Sequence, residues 1–96
     1  MGRNYATANR VVSSENLATG ATSDQSGAAP AQVYLARVVA RSNPMFYAVG
    51  SNPTATNAST FLPQNEVEVI QVNPGEKIAA IQDGGAGQMN ISWLTN

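Results

Sequence analysis

The chain has 96 residues and a net charge of −1, and only 11% of its residues are charged, against about a quarter in ordinary soluble domains. It contains neither histidine nor cysteine, which excludes disulfides and thiolate chemistry, removes the usual ligands of a structural zinc and deprives a serine nucleophile of its common base. The five cations, Arg3, Arg10, Arg37, Arg41 and Lys77, are scattered, and no apolar run approaches the ~20 residues of a membrane span. Neither a nucleic acid nor a membrane is therefore expected as a partner.

Residues 1–31 carry few large apolar side chains, namely Tyr5, Val11, Val12 and Leu17. The start, MGRNYATANRVV, has no apolar stretch of the secretory type. ANRVVSS, residues 8–14, reads either as a short strand or as an arm that pairs with a neighbouring subunit. The run ATGATSDQSGAAPAQ, residues 18–32, is small and polar and buries too little surface to offset its own ordering entropy. An extended or flexible N-terminal arm over residues 1–31 is expected. Its contact candidates are Tyr5, Val11, Val12 and Leu17, with the adjacent valines as the main apolar anchors.

From Gln32 the pattern changes, and residues 32–96 read as one β-domain. QVYLARVVAR places Val33, Leu35, Arg37, Val39 and Arg41 on one face and Tyr34, Ala36, Val38 and Ala40 on the other. Helix is conceivable here, but the valines and the following Ser42-Asn43-Pro44 favour a strand. MFYAVG is a second strand, ended by Gly50-Ser51-Asn52-Pro53, and TATNAST is a polar loop. NEVEVIQV alternates as a strand, with its glutamates on the polar face. Asn73-Pro74-Gly75 then fits a type II turn with Pro at i+1 and Gly at i+2. EKIAAIQD and QMNISWL are further strands, separated by Asp83-Gly84-Gly85-Ala86-Gly87, which reads as a hairpin loop. With further strands near Ala8 and Thr60, the sum is an all-β fold, a small antiparallel sandwich or barrel with an extended N-terminal arm.

No constellation of residues points to catalysis. Lys77 sits in a turn beside Pro-Gly-Glu and reads as solvated. Glu66 and Glu68 lie two apart on a strand, roughly 6.5–7 Å between Cα atoms, and carboxylate pairs can cleave glycosides. Alternation with Val67 and Val69 makes them the polar side of an amphipathic strand instead. The glycines of DGGAG are followed by a strand, not by the helix N-terminus a phosphate needs. The acids are too dispersed for calcium. No enzyme activity, cofactor or metal is expected. Size supplies a further clue: residues 32–96 alone are a scaffold below ~70–80 residues, a class that needs disulfides, metals or oligomerisation. Here only oligomerisation remains, and self-association is expected.

The segment from Asn43 to Ser92, NPMFYAVGSNPTATNASTFLPQNEVEVIQVNPGEKIAAIQDGGAGQMNIS, resembles small virion proteins of tailed bacteriophages. The likeness is carried by an apolar strand ending in Gly50, the Thr/Ser/Ala loop of residues 52–60, the Leu62-Pro63 turn, the Glu/Val-rich strand of residues 66–72, Pro74-Gly75-Glu76-Lys77, the Ile/Ala strand of residues 78–81 and the Gly-rich hairpin before the last strand, residues 84–92. The resemblance covers about the C-terminal half. It implies a capsid decoration (cement) protein, made in the host cytoplasm and bound as a homotrimer to the outside of the head, where it bridges major capsid protein subunits. It carries over no catalytic residue. A receptor- or glycan-binding fibre or knob component is the alternative; it needs aromatics exposed in loops.

Overall fold

In the computed structural model the described residues are 10–95. They form eight strands: β1 (Arg10–Ala18), β2 (Asp24–Gln25), β3 (Leu35–Arg41), β4 (Met45–Gly50), β5 (Thr60–Leu62), β6 (Val67–Gln71), β7 (Lys77–Gln82) and β8 (Gln88–Thr95). The fold is all-β. One four-stranded sheet, here sheet A, runs β1-β8-β3-β6, and the other, sheet B, runs β2-β7-β4-β5. Every ladder is antiparallel.

The pairing is nested. β1 meets β8, β2 meets β7, β3 meets β6 and β4 meets β5. The chain is thus one long hairpin with residues 51–59 at its tip, rolled up so that β3 also meets β8 and β4 also meets β7. This strand order is that of a jelly roll, in which two stacked sheets protect most of their edges. Only β4 and β5 are consecutive strands of the same sheet. The Gly84–Gly87 link, expected as a hairpin loop, is instead a crossover from sheet B to sheet A. Its glycines serve that route: Gly84 has φ +83°, and a Cβ on Gly87 would lie 2.8 Å from the Arg41 carbonyl oxygen.

The core follows from alternation with period two. Ala36, Val38 and Ala40 of β3, Met89, Ile91 and Trp93 of β8, Met45 and Tyr47 of β4, and Ile78 and Ala80 of β7 face one another between the sheets. Large residues stand beside small ones: Trp93 is opposite Ala36, and Met89 is opposite Ala40. That alternation lets two sheets interdigitate without voids. Each fully buried side chain of the size of Ile91 or Leu62 contributes about 1.5–3 kcal/mol. The Asn73–Glu76 turn behaves as its residues demand, with Gly75 at φ +88° and the Glu76 N–H bonded to the Asn73 carbonyl at 3.0 Å.

The N-terminal part differs most from expectation. Residues 10–31 are built into the sandwich rather than laid outside it. β1 pairs along β8 from Arg10↔Thr95 to Ala18↔Gln88, with a bulge between Val11 and Ser13. Leu17 and Ala29 belong to the core. Apart from Ala29, the small polar run after β1 is held by hydrogen bonds rather than by apolar anchors. Thr19 N–H donates to the Gly87 carbonyl (2.9 Å) and Thr19 Oγ1 accepts from Gly87 N–H (2.9 Å). Ser26 exchanges the same kind of pair with Ile78, at 2.8 and 2.9 Å. Ala29 N–H donates to the Glu76 carbonyl at 2.7 Å. Strand edges satisfy backbone groups whatever the side chains are, so a segment poor in large residues is ordered by pairing. The folded unit therefore begins by residue 10, and the size argument for oligomerisation loses part of its force.

Candidate interaction surface

Two carboxylates close the open sides of the sandwich. On sheet A, Glu15, Ile91, Val38 and Glu68 form one row across the four strands, all facing inward. Glu15, on the edge strand β1, accepts from Trp93 Nε1–H at 3.0 Å through one oxygen and from Gly27 N–H at 3.0 Å through the other. Glu68, on the opposite edge strand β6, accepts from the Tyr47 hydroxyl across the sheets at 2.6 Å. The Tyr47 phenol is pushed well above its ordinary range, first by burial, then by this hydrogen bond and by the negative charge of Glu68. The expected polar, outward role of Glu68 is thus inverted. The valines beside it point to solvent, because the inner position at this edge lies within reach of a tyrosine hydroxyl.

With its acids turned in, sheet A presents an outer face that has no carboxylate within its strands and mixes aliphatic residues and two arginines with serine, asparagine and glutamine. By register, one row holds Val11, Leu94, Leu35 and Gln71, the next Ser14, Ser92, Arg37 and Val69, and the next Asn16, Asn90, Val39 and Val67. Val11 (54%), Val67 (50%) and Val69 (55%) are about half exposed. Arg41 lies at the end of the same face, opposite Gln88. At the other end, Gln32, Tyr34, Leu35, Leu94 and Thr95 line a shallow depression, and Tyr34 is 55% exposed.

The outer face of sheet B is partly covered by the chain itself. Ala79 points outward by register yet is fully buried, because the 51–59 connection folds back along this side. Gln25 Nε2 donates to Asn52 Oδ1 (2.9 Å) and the Pro53 carbonyl (2.8 Å), and Ala55 N–H donates to Ser23 Oγ (2.8 Å). The Phe46–Phe61 pair, with centroids 5.3 Å apart, finishes the surface.

The four sequence candidates separate. Val11 and Val12 are exposed on β1. Leu17 is not available for contact, since it is a core residue opposite Met89. Tyr5 lies outside the described residues. Sequence reasoning misses Tyr34, Leu35, Val39, Val67 and Val69 as contact candidates. The alternation groups Val33 with Leu35, Arg37, Val39 and Arg41 on one face, but only the last four share the outer face of β3; Val33 precedes the strand and is buried in the core. The signal that identifies that face as outer is size: the opposite face carries alanines, which suit the narrow gap between two sheets. Among the described residues, no group of three or more acidic side chains is placed to hold a metal. Comparison with family models, with curated proteins and with solved structures found no match.

Proposed function

We propose that this chain is a structural, non-enzymatic assembly protein of the virion: a capsid decoration protein that binds the outside of a phage head and bridges major capsid protein subunits, as a homotrimer. The observation that carries this reading is the outer face of sheet A. That face has no carboxylate within its strands and leaves Val67 and Val69 half exposed on one edge strand and Val11 on the other, whereas the outer side of sheet B is partly covered by its own loop. Contiguous aliphatic patches rimmed by polar residues mark contact with other proteins, and Val39, Val67 and Val69 form one such group. The jelly roll also hosts viral capsid and lectin domains, which is support by fold analogy alone. The resemblance of residues 43–92 to phage virion proteins supplies the particle.

The test is binding of the purified full-length chain to heads assembled without it, read by sedimentation and by imaging of the particles. Regular density at fixed positions on the head surface is the expected result, and no association at micromolar concentration refutes the reading. Light scattering of the free chain tests the trimer. A second reading, a glycan-binding tip, draws on Tyr34, which is exposed just ahead of β3 beside Gln32 and Thr95. Rings stack on sugars, and amides fix their hydroxyls. Under that reading Tyr34→Ala abolishes binding on a glycan array, whereas the decoration reading expects no glycan signal from the unmodified chain.

A further inference from the structure

Arg37 stands at the middle of the outer face of sheet A. Its cross-strand neighbours are Ser92 and Val69, and Leu35 and Val39 flank it along β3. No acid occupies an outward position of β1, β8, β3 or β6, because the two acids within these strands, Glu15 and Glu68, are the inward ones. Covering such a face with a purely apolar surface strands a guanidinium away from water, a strongly unfavourable arrangement. Covering it with a second copy through the same face adds two more arginines and still no carboxylate.

We propose that this face docks an apolar surface of a different protein that presents a carboxylate opposite Arg37. The inference rests on the decoration reading and names the chemistry of its partner. The aliphatic residues around Arg37 supply a dry rim of low dielectric, in which an arginine–carboxylate fork is both strong and directional. Arg41, at the exposed end of the face, contributes mainly to encounter. Two cations give only slight steering, so the salt dependence is weak.

The experiment uses heads assembled without this chain and the full-length protein as wild type, Arg37→Glu, Arg37→Lys and Val69→Ser. All substituted side chains are at the surface, and thermal melting of each variant checks that the fold is kept. The expected losses of affinity are about 30-fold or more for Arg37→Glu, since a buried charge is reversed, and about 10-fold for Val69→Ser. Arg37→Lys places an amine at the contact. A water-soluble carbodiimide then joins it to a carboxylate within direct reach, as an amide, with the water taken up by the reagent. Mass spectrometry is expected to find position 37 linked to an aspartate or glutamate of the major capsid protein. Wild-type protein that binds heads while Arg37→Glu binds equally well overturns this inference and leaves the decoration reading standing. A link from position 37 to any acid of another copy, such as Asp24, Glu66, Glu76 or Asp83, also overturns it, in favour of self-association. Failure of the wild type to bind removes the reading and this partner with it.

Discussion

Leu17→Ala separates an N-terminal arm from an N-terminal strand. Leu17 is 8% exposed and lies in the core cluster, opposite Met89. An arm residue tolerates truncation, whereas a core residue does not. The change removes three carbons, at about 0.8 kcal/mol for each buried methylene, and adds a cavity penalty. β1 is an edge strand and can settle inward, so the cavity term is partial and the total is about 2–3.5 kcal/mol. With a urea m-value of ~1 kcal/mol/M for a domain of this size, the midpoint falls by about 2–3.5 M. Thermally, at about 4–8 °C per kcal/mol, the melting temperature drops by about 10–25 °C. The control is Val11→Ala, on the same strand but exposed, with an expected cost of about 0.5 kcal/mol. Urea titration followed by Trp93 fluorescence measures both. If Leu17→Ala unfolds within ~0.5 kcal/mol of the wild type, and a chain lacking residues 1–18 still folds, β1 is a dispensable arm and not a strand of the core.

Three other outcomes are expected. Gly87→Ala costs about 1–3 kcal/mol, because its Cβ meets backbone atoms of Arg41 and Asn43 at 2.8–3.3 Å; Gly20→Ala, with nothing within 4 Å, is neutral or stabilising, and paired urea titrations distinguish the two. Glu15→Gln turns one acceptor into a donor that faces the Trp93 or Gly27 N–H, so it costs about 1–2 kcal/mol and shifts Trp93 emission; unchanged emission and stability argue against the clasp. The Tyr47 phenol ionises later in the folded state than in the unfolded state, so its contribution to stability is complete below the unfolded phenol pKa of ~10 and is lost as pH rises beyond it. Tyr47→Phe lowers stability by about 1–2 kcal/mol near neutral pH and flattens that alkaline decline, as pH-dependent melting will show.

Much of the sandwich is legible in the sequence because its strands are strongly periodic and its turns are chemically marked. Each Asn-Pro, at 43–44, 52–53 and 73–74, falls between strands. What local pattern does not encode is which strands are partners. Asp83–Gly87 carries hairpin chemistry, yet it crosses between sheets, because β7 finds better partners in β4 and β2 than in β8. β2, only two residues long, has no side-chain signal at all; it exists because Ile78 and Ala80 on β7 offer a free edge. The same holds for the site. Alternation fixes that Val67 and Val69 share a face, but not which face looks outward. The deciding contact, Tyr47 with Glu68, joins residues on different sheets.

Stability and surface character arise from one structural choice. Along a strand the side-chain period is two, so the register that turns Glu15 and Glu68 inward also fixes which residues face out. In the row next to that of the two acids stand Arg37 and Val69. Slipping β6 by one residue against β3 would place Glu68 on the outer face and Val67 or Val69 toward the core. Tyr47 would lose its acceptor, and Arg37 would gain a neighbouring acid. The sandwich would then be weaker at that edge, and its outer face would satisfy its own charge and offer less to a partner. The carboxylates are spent on joining the two sheets, and this is why the arginine at the centre of the outer face is left to be matched from outside.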